Sequence, residues 1–140
     1  MSLFFAKHNI SGFLIDGIFH LSPREALHAI ERGAVLIDLR DELEIELKRF
    51  KVSGILYLSS QEVKSTYKTL EKEKAFVIAD SVGLQSKEIV RFLKENGFEN
   101  VANLIGGIVD WQREELPMHI DGFLTGSCAC KLKKKKVNTN

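Results

Sequence analysis

Short apolar runs alternate with segments of helical periodicity through most of the chain, and this alternation constrains the fold more than any other feature. The apolar runs have the length and composition of β-strands and lie at residues 18–21, 34–39, 55–58, 76–79 and 101–104. The run AVLI at the start of residues 34–39 lacks polar alternation, as expected for a strand buried on both faces of a parallel sheet. Strands that alternate with helices predict an α/β fold with a mainly parallel sheet flanked by helices.

The helix after the first strand carries the clearest boundary signals. Ser22 is its expected N-cap, Pro23 its first residue and Glu25 the partner of Ser22 in a capping box, and Gly33 is expected to end it. Further helices are predicted at residues 41–50, 61–70 and 86–96, and in the segment GGIVDWQREEL before Pro117.

The length of 140 residues suits one domain with its own core, and a content of 44% apolar and 28% charged residues is ordinary for a globular protein. The pattern predicts an N-terminal segment at residues 1–17, the domain at residues 18–118 and a tail at residues 119–140. The tail contains a Cys-x-Cys sequence and a run of lysines.

The charge is unevenly distributed along the chain. The five lysines among residues 131–136 leave residues 1–130 with a net charge of about −4, although the whole chain has a formal charge of +1. A basic surface that binds nucleic acid is therefore not expected on the domain. No run approaches the roughly 18 apolar residues that cross a bilayer, and the N-terminal apolar stretch is too short for a signal peptide. We expect a cytoplasmic protein with a solvated lysine tail, although such a tail can also contact phosphates or anionic lipid.

The loop between the predicted strand 76–79 and the helix after it is the candidate site. It consists of Asp80, Ser81, Val82, Gly83, Leu84, Gln85 and Ser86. Ligands of open α/β sheets bind where strands lead into helices, and the first amides of a helix can bind an anion. Gly83 permits a turn that gathers amides into a nest, but the loop also fits an ordinary connection. The loop begins with Asp80, whose carboxylate would compete with any external anion for these amides.

Two longer segments resemble the signatures of the rhodanese family. In LIDLRDELEIELKRFKVSGILYL, Asp38 and Arg40 match the Asp-x-Arg of the first signature and Gly54 matches its turn glycine, whereas KVS replaces the usual His-Ile-Pro. The segment NGFENVANLIGGIVDWQREELP is similar to the second signature. Its matching residues are Gly97, Phe98, Asn100, Val101, Gly106, Gly107, Ile108, Trp111, Leu116 and Pro117, with Glu115 where glycine is common. The resemblance covers roughly residues 18–118 and implies a rhodanese-like α/β domain. Asp38 and Arg40 are expected to order loops, and Trp111 to anchor the core.

The family's catalytic loop has the pattern Cys-x-x-Gly-x-Arg-Ser, and its cysteine attacks a sulfane sulfur or an oxyanion. Alignment on this resemblance puts Asp80 at the cysteine, Gly83 at the glycine, Gln85 at the arginine and Ser86 at the serine. A carboxylate cannot carry a persulfide, so conventional thiosulfate sulfurtransferase activity is not expected. Instead, the Asp80 carboxylate is expected to accept the loop amides itself. The resulting hypothesis is a non-catalytic module that binds or regulates an unknown protein partner, with no cofactor.

The tail supports different hypotheses. Cys128 and Cys130 are followed by lysines, which favour the thiolate and suit a sulfur-carrier or redox role. The same two thiols could instead be inert, or could provide two ligands to a metal with His20 or His119 as candidate partners. Two thiols are only half of a metal ligand set, so no metal site is assigned, and the sequence leaves all three alternatives open.

Overall fold

The structure is a computed structural model, and it describes residues 3–121. Within that range the strands are β1 (Phe13–Ile15), β2 (Ile18–Leu21), β3 (Val35–Asp38), β4 (Lys48–Phe50), β5 (Ile55–Tyr57), β6 (Phe76–Ala79), β7 (Val101–Leu104) and β8 (Met118–Ile120). The helices are α1 (Leu3–Lys7), α2 (Pro23–Glu31), α3 (Glu42–Leu47), α4 (Ser60–Thr66), α5 (Gln85–Glu95) and α6 (Gly107–Arg113), and one 3₁₀ turn (Tyr67–Thr69) follows α4.

Six of these strands form one sheet in the order β1-β2-β7-β6-β3-β5. Neighbouring strands run parallel except at the β1–β2 pair, which is antiparallel. Strands β4 and β8 form a separate antiparallel pair. The predicted α/β fold with a mainly parallel sheet is therefore confirmed. Because parallel strands end at one edge, the segments that follow β2, β3, β6 and β7 meet there.

Alternate residues of each central strand face opposite layers of the core. In β6, Val77 and Ala79 belong to the cluster that contains Trp111 of α6, whereas Phe76 and Ile78 belong to the cluster that contains Leu93 of α5. Both faces of the strand are apolar, which explains the unbroken apolar runs in the sequence. Trp111 is fully buried, as expected, and its indole N–H donates to the Pro117 carbonyl at 2.9 Å.

The predicted boundary signals of α2 are present. Ser22 and Glu25 form the reciprocal capping box, and Pro23 is the first helical residue. The predicted helix at residues 41–50 is wrong at its end, because α3 ends at Leu47 and Lys48–Phe50 forms β4. Phe50 pairs with Met118 of β8 and packs edge-on against Trp111 at 5.0 Å, so tertiary contacts outweigh the helical spacing of this segment.

The N-terminal residues join the sheet and its core. Phe5 of α1 is buried, and β1 pairs with β2 through a two-residue turn in which Asp16 and Gly17 both have positive φ, at 52° and 76°. An Asp-Gly pair favours this type of hairpin turn, so the sequence contains a signal for the hairpin. The strand β1 lies in the predicted N-terminal segment, residues 1–17, and pairs with the first strand of the predicted domain. At the other end, β8 extends two residues into the predicted tail. No helix within residues 3–121 is long and apolar enough to cross a membrane.

Candidate functional site

The loop that starts at Asp80 lies at the C-terminal edge of the sheet, between β6 and α5. Its neighbours are the segment that follows β3 and the glycine turn between β7 and α6. This is the position at which open α/β sheets bind ligands. The predicted loop residues are therefore brought together in one place.

The Asp80 carboxylate is buried and accepts three backbone amides of its own loop. Oδ1 accepts the amide of Gly83, and Oδ2 accepts those of Gln85 at 2.6 Å and Ser86 at 3.0 Å. Leu84, the N-cap residue of α5, makes no side-chain cap bond. The Asp80 side chain therefore caps α5, although Asp80 lies five residues before Gln85, the first residue of that helix. The helix dipole also favours a negative charge at this end of the helix.

Two glycines allow the loop and the start of α6 to touch. Gly83 has φ 87°, and a Cβ on it would lie 2.8 Å from the amide nitrogen of Gly106. A Cβ on Gly107 would collide with the carbonyl oxygen of Asp80. That carbonyl accepts the amide of Ile108 at 3.0 Å. The loop is thus fixed from one side by the first turn of α6.

A second set of polar contacts extends from the loop into the sheet. The hydroxyl of Ser86 donates to the side-chain oxygen of Asn103 in β7, and the Asn103 amide donates to Nδ1 of His20 in β2 at 3.1 Å. All three side chains are buried. Burial lowers the pKa of His20 from its usual value, and the nearby charge of Lys87 lowers it further, while Asp16 acts in the opposite direction. The neutral ring is the form that can accept the Asn103 proton at Nδ1.

Asp38 and Arg40 form a buried ion pair on the other side of the loop. The guanidinium donates to both carboxylate oxygens, at 3.0 and 2.8 Å, and to the carbonyl of Glu44 at 3.3 Å. It also lies 5.6 Å from the ring centre of Phe50. Burial raises the pKa of Tyr57, which the charge of Asp38 raises further. The expectation that Asp38 and Arg40 order their loop by hydrogen bonding is confirmed.

The outer rim of the loop is exposed. Val82 and Leu84 have apolar side chains directed to solvent, and the Gln85 side chain is exposed as well. Ser81 connects the rim to α3, because its hydroxyl donates to a carboxylate oxygen of Glu44 at 3.3 Å. The rim therefore combines apolar and polar groups around a center that Asp80 occupies.

Of the remaining candidates, His20 connects to the loop indirectly, through Asn103. His20 lies in β2 of the large sheet and His119 in β8 of the small one. Residues 3–121 contain no group of three or more His, Cys, Asp or Glu side chains arranged to hold a metal. Cys128, Cys130 and the lysine run lie outside the described residues.

A family model described as "Rhodanese-like domain" matches residues 22–114, well over half of the chain. The chain belongs to the rhodanese-like family.

Named relatives fit this assignment. A thiosulfate sulfurtransferase GlpE of Haemophilus influenzae is 30% identical over 98 residues, which cover 70% of this chain and 91% of that protein. Among solved structures, the polysulfide-sulfur transferase homodimer of Wolinella succinogenes is 26% identical, with a TM-score of 0.62 over 73% of this chain and 78% of that one. A rhodanese-related protein of Thermoplasma volcanium has the same TM-score of 0.62 at 23% identity, over 71% of this chain and 96% of that one.

The contacts between the 80–86 loop and the sheet were not predicted from the sequence. The sequence indicated His20 only as a candidate metal ligand and gave no role to Asn103. One signal was present, because Asn103 interrupts the apolar run VANL of a strand that is buried throughout. A buried amide needs hydrogen-bond partners, so its position predicts a polar contact.

Proposed function

We propose that this rhodanese-like domain is a non-catalytic module that binds or regulates a protein partner and does not transfer sulfur at the 80–86 loop. The observation that carries this proposal is the Asp80 carboxylate, which accepts the amides of Gly83, Gln85 and Ser86. An anionic substrate that used these amides would have to displace a buried carboxylate and would meet its charge.

The resemblance to the family's loop supports the same conclusion. Asp80 takes the place of the nucleophilic cysteine, and neutral Gln85 takes the place of the arginine. Sulfur transfer requires a thiolate that attacks the sulfane sulfur and carries it as a persulfide. An aspartate cannot form that bond, and the exposed Gln85 side chain supplies no positive charge to offset the repulsion of an anion.

A second candidate function is sulfur transfer by the tail. The relatives include proteins named thiosulfate sulfurtransferase and polysulfide-sulfur transferase, and this chain has two cysteines followed by lysines. In such a role, a thiolate of Cys128 or Cys130 would attack the sulfane sulfur of thiosulfate, forming a persulfide and releasing sulfite. A nucleophile such as cyanide would then take that sulfur and restore the thiolate.

One experiment separates these functions. The full chain is incubated with thiosulfate alone, and intact mass reports any gain of about 32 Da per sulfur atom; a second incubation also contains cyanide, and its thiocyanate is measured. A binding module gives thiocyanate at the level of the buffer control and no added mass. A tail carrier gains mass, and the Cys128→Ser/Cys130→Ser variant loses that gain. Turnover that survives this double substitution would contradict the placement of Asp80 at the nucleophile position.

The remaining expectations from the sequence keep the status of predictions. The negative charge of residues 1–130 argues against nucleic acid as a partner of the domain. We place the protein in the cytoplasm and assign it no cofactor, and a partner protein is expected to contact the exposed rim of the loop.

A further inference from the structure

Exposed apolar side chains gather at helix α3. Leu43 and Leu47 lie four residues apart, and therefore on the same face of the helix, with 68% and 40% of their surfaces exposed. Ile120 of β8 is 39% exposed and pairs with Lys48, the residue after Leu47. We call Leu43, Leu47 and Ile120 the α3 patch.

The described chain ends beside this patch. The amide of Asp121 donates to the carbonyl of Leu47 at 2.8 Å. Strand β8 runs antiparallel to β4, and β4 directly follows α3. Strand β8 therefore runs toward the C-terminal end of α3.

We propose that the α3 patch is covered by this chain's own C-terminal segment, with Phe123 and Leu124 packed on Leu43 and Leu47. These two residues are the first large apolar side chains after the patch, and they follow Asp121 by two and three positions. Burial of their apolar surface stabilises such a contact. The inference concerns docking within the chain and goes beyond the function proposed above.

Charge complementarity favours the same occupant. Asp41, Glu42, Glu44 and Glu46 are all exposed on or beside α3. The lysines among residues 131–136 supply the opposite charge later in the same segment. Opposite charges orient and select a contact more than they strengthen it, so the apolar side chains provide the affinity and the charges provide the direction.

The docked segment reaches the rim of the loop. Glu44 of α3 contacts Ser81, so the N-terminal half of α3 borders the loop directly. Cys128 follows Asp121 by seven residues, which span up to about 23 Å when extended. Docking on α3 therefore brings Val82, the exposed residue next to Ser81, within reach of Cys128.

Disulfide trapping in the full chain tests this placement. Cys130→Ser leaves Cys128 as the one tail thiol, and Val82→Cys adds a probe on the rim. The matched control is Leu14→Cys, an exposed residue on β1 at the opposite edge of the sheet. In a glutathione buffer, we expect the bond from position 82 to Cys128 to form with an effective concentration at least ten-fold above that from position 14.

Two tail variants separate docking from simple tethering. Phe123→Ser/Leu124→Ser is expected to reduce bond formation at position 82 to the level of position 14, whereas Val137→Ser leaves it unchanged. Equal bond formation at the two probe positions, or insensitivity to Phe123→Ser/Leu124→Ser, overturns the proposal. Bonds between chains also overturn it, in favour of a second copy on the patch. None of these readouts depends on sulfur transfer, so this proposal and the proposed function fail independently.

Discussion

The backbone amide of Ser86 donates to the Asp80 carboxylate at 3.0 Å, so the residue that follows β6 fixes the first turn of α5. Together with the amides of Gly83 and Gln85, this contact gives the carboxylate three donors. Leu84, at the N-cap position, contributes no cap bond. The stability of the loop and of the helix start therefore depends on one buried charge.

Asp80→Asn is expected to destabilise the protein by about 1–3 kcal/mol at pH 7, because it removes a charged acceptor and turns an N–H group toward at least one donor. Urea unfolding followed by circular dichroism measures the change. Glu88→Gln is the matched control, since Glu88 is an exposed acidic residue in the first turn of the same helix. Its effect is expected to stay below about 0.5 kcal/mol. If Asp80→Asn proved more stable than the parent, the loop amides would not be what holds the carboxylate, and the proposed non-catalytic function would have to be withdrawn.

The sequence predicted the local structure of this loop because its residues are adjacent in the chain. Strands β6 and β7 have the predicted bounds, and the loop follows β6 directly. Contacts between distant residues were harder to predict. The Asn103–His20 bond joins positions 83 residues apart, and only the alignment of β7 beside β2 brings them together.

The errors at helix and strand ends have a similar cause. The segment 41–50 has helical spacing, yet its last residues form β4 because β8 offers a pairing partner. That partner lies about 70 residues further along the chain, at Met118–Ile120. Hydrophobic periodicity indicates the secondary structure that a segment favours by itself. It contains no information about a strand such as β8 that lies far away in the sequence and pairs with the segment.

The buried pair of Arg40 and Asp38 gives a second prediction. Arg40→Met leaves the Asp38 carboxylate buried without its cation and is expected to cost about 3–5 kcal/mol of unfolding free energy. Arg40→Lys keeps the positive charge but loses the bidentate hydrogen bonding to Asp38. Its loss of unfolding free energy should therefore lie between zero and that of Arg40→Met. Chemical denaturation measures both.

An exposed pair in the same protein serves as the control for these variants. Nε of Arg24 lies 3.1 Å from Oε1 of Glu114, and the two side chains are 70% and 44% exposed. Arg24→Met should therefore change stability by no more than about 1 kcal/mol. Comparable losses for Arg24→Met and Arg40→Met would show that burial does not distinguish the two pairs.

His20 predicts a pH dependence of stability. Its pKa is lowered in the folded state, so folding favours the neutral ring. The stabilisation is fully present above the unfolded value of about 6.5 and is lost progressively as the pH falls toward the folded value. When the pH falls from 7 to 5, we expect the unfolding free energy of His20→Gln to decrease less than that of the parent protein. Unfolding free energies across this interval measure the difference.

Salt separates the causes of the His20 shift. Screening weakens the contributions of Lys87 and Asp16 to the lowered pKa of His20, whereas the contribution of burial is insensitive to salt. The pH dependence should therefore persist in 0.5 M NaCl. Parallel stability curves for His20→Gln and the parent would contradict a role for this histidine.

The strongest test of the proposed non-catalytic loop gives it the cysteine and the arginine of the family's pattern. In a Cys128→Ser/Cys130→Ser background, Asp80→Cys puts a thiol where the amides of Gly83, Gln85 and Ser86 converge. Converging amides and a helix N-terminus stabilise a thiolate, and Gln85→Arg adds the cation that helps an anionic substrate approach. We expect slow conversion of thiosulfate and cyanide to sulfite and thiocyanate, greater for the combined variant than for Asp80→Cys with Gln85 unchanged.

The control for this gain of activity keeps the same groups in the same loop. Val82→Cys/Gln85→Arg in the identical background has one loop thiol and one arginine, but its thiol is on an exposed residue and Asp80 still occupies the amides. Its rate should stay at the level of the background chain. If both variants formed thiocyanate at the same rate, any exposed thiol would suffice and the converging amides would have no catalytic value. A rate specific to Asp80→Cys would mean that the loop keeps the geometry of a sulfur-transfer site, and that the identity of residue 80 decides between a filled loop and a working one.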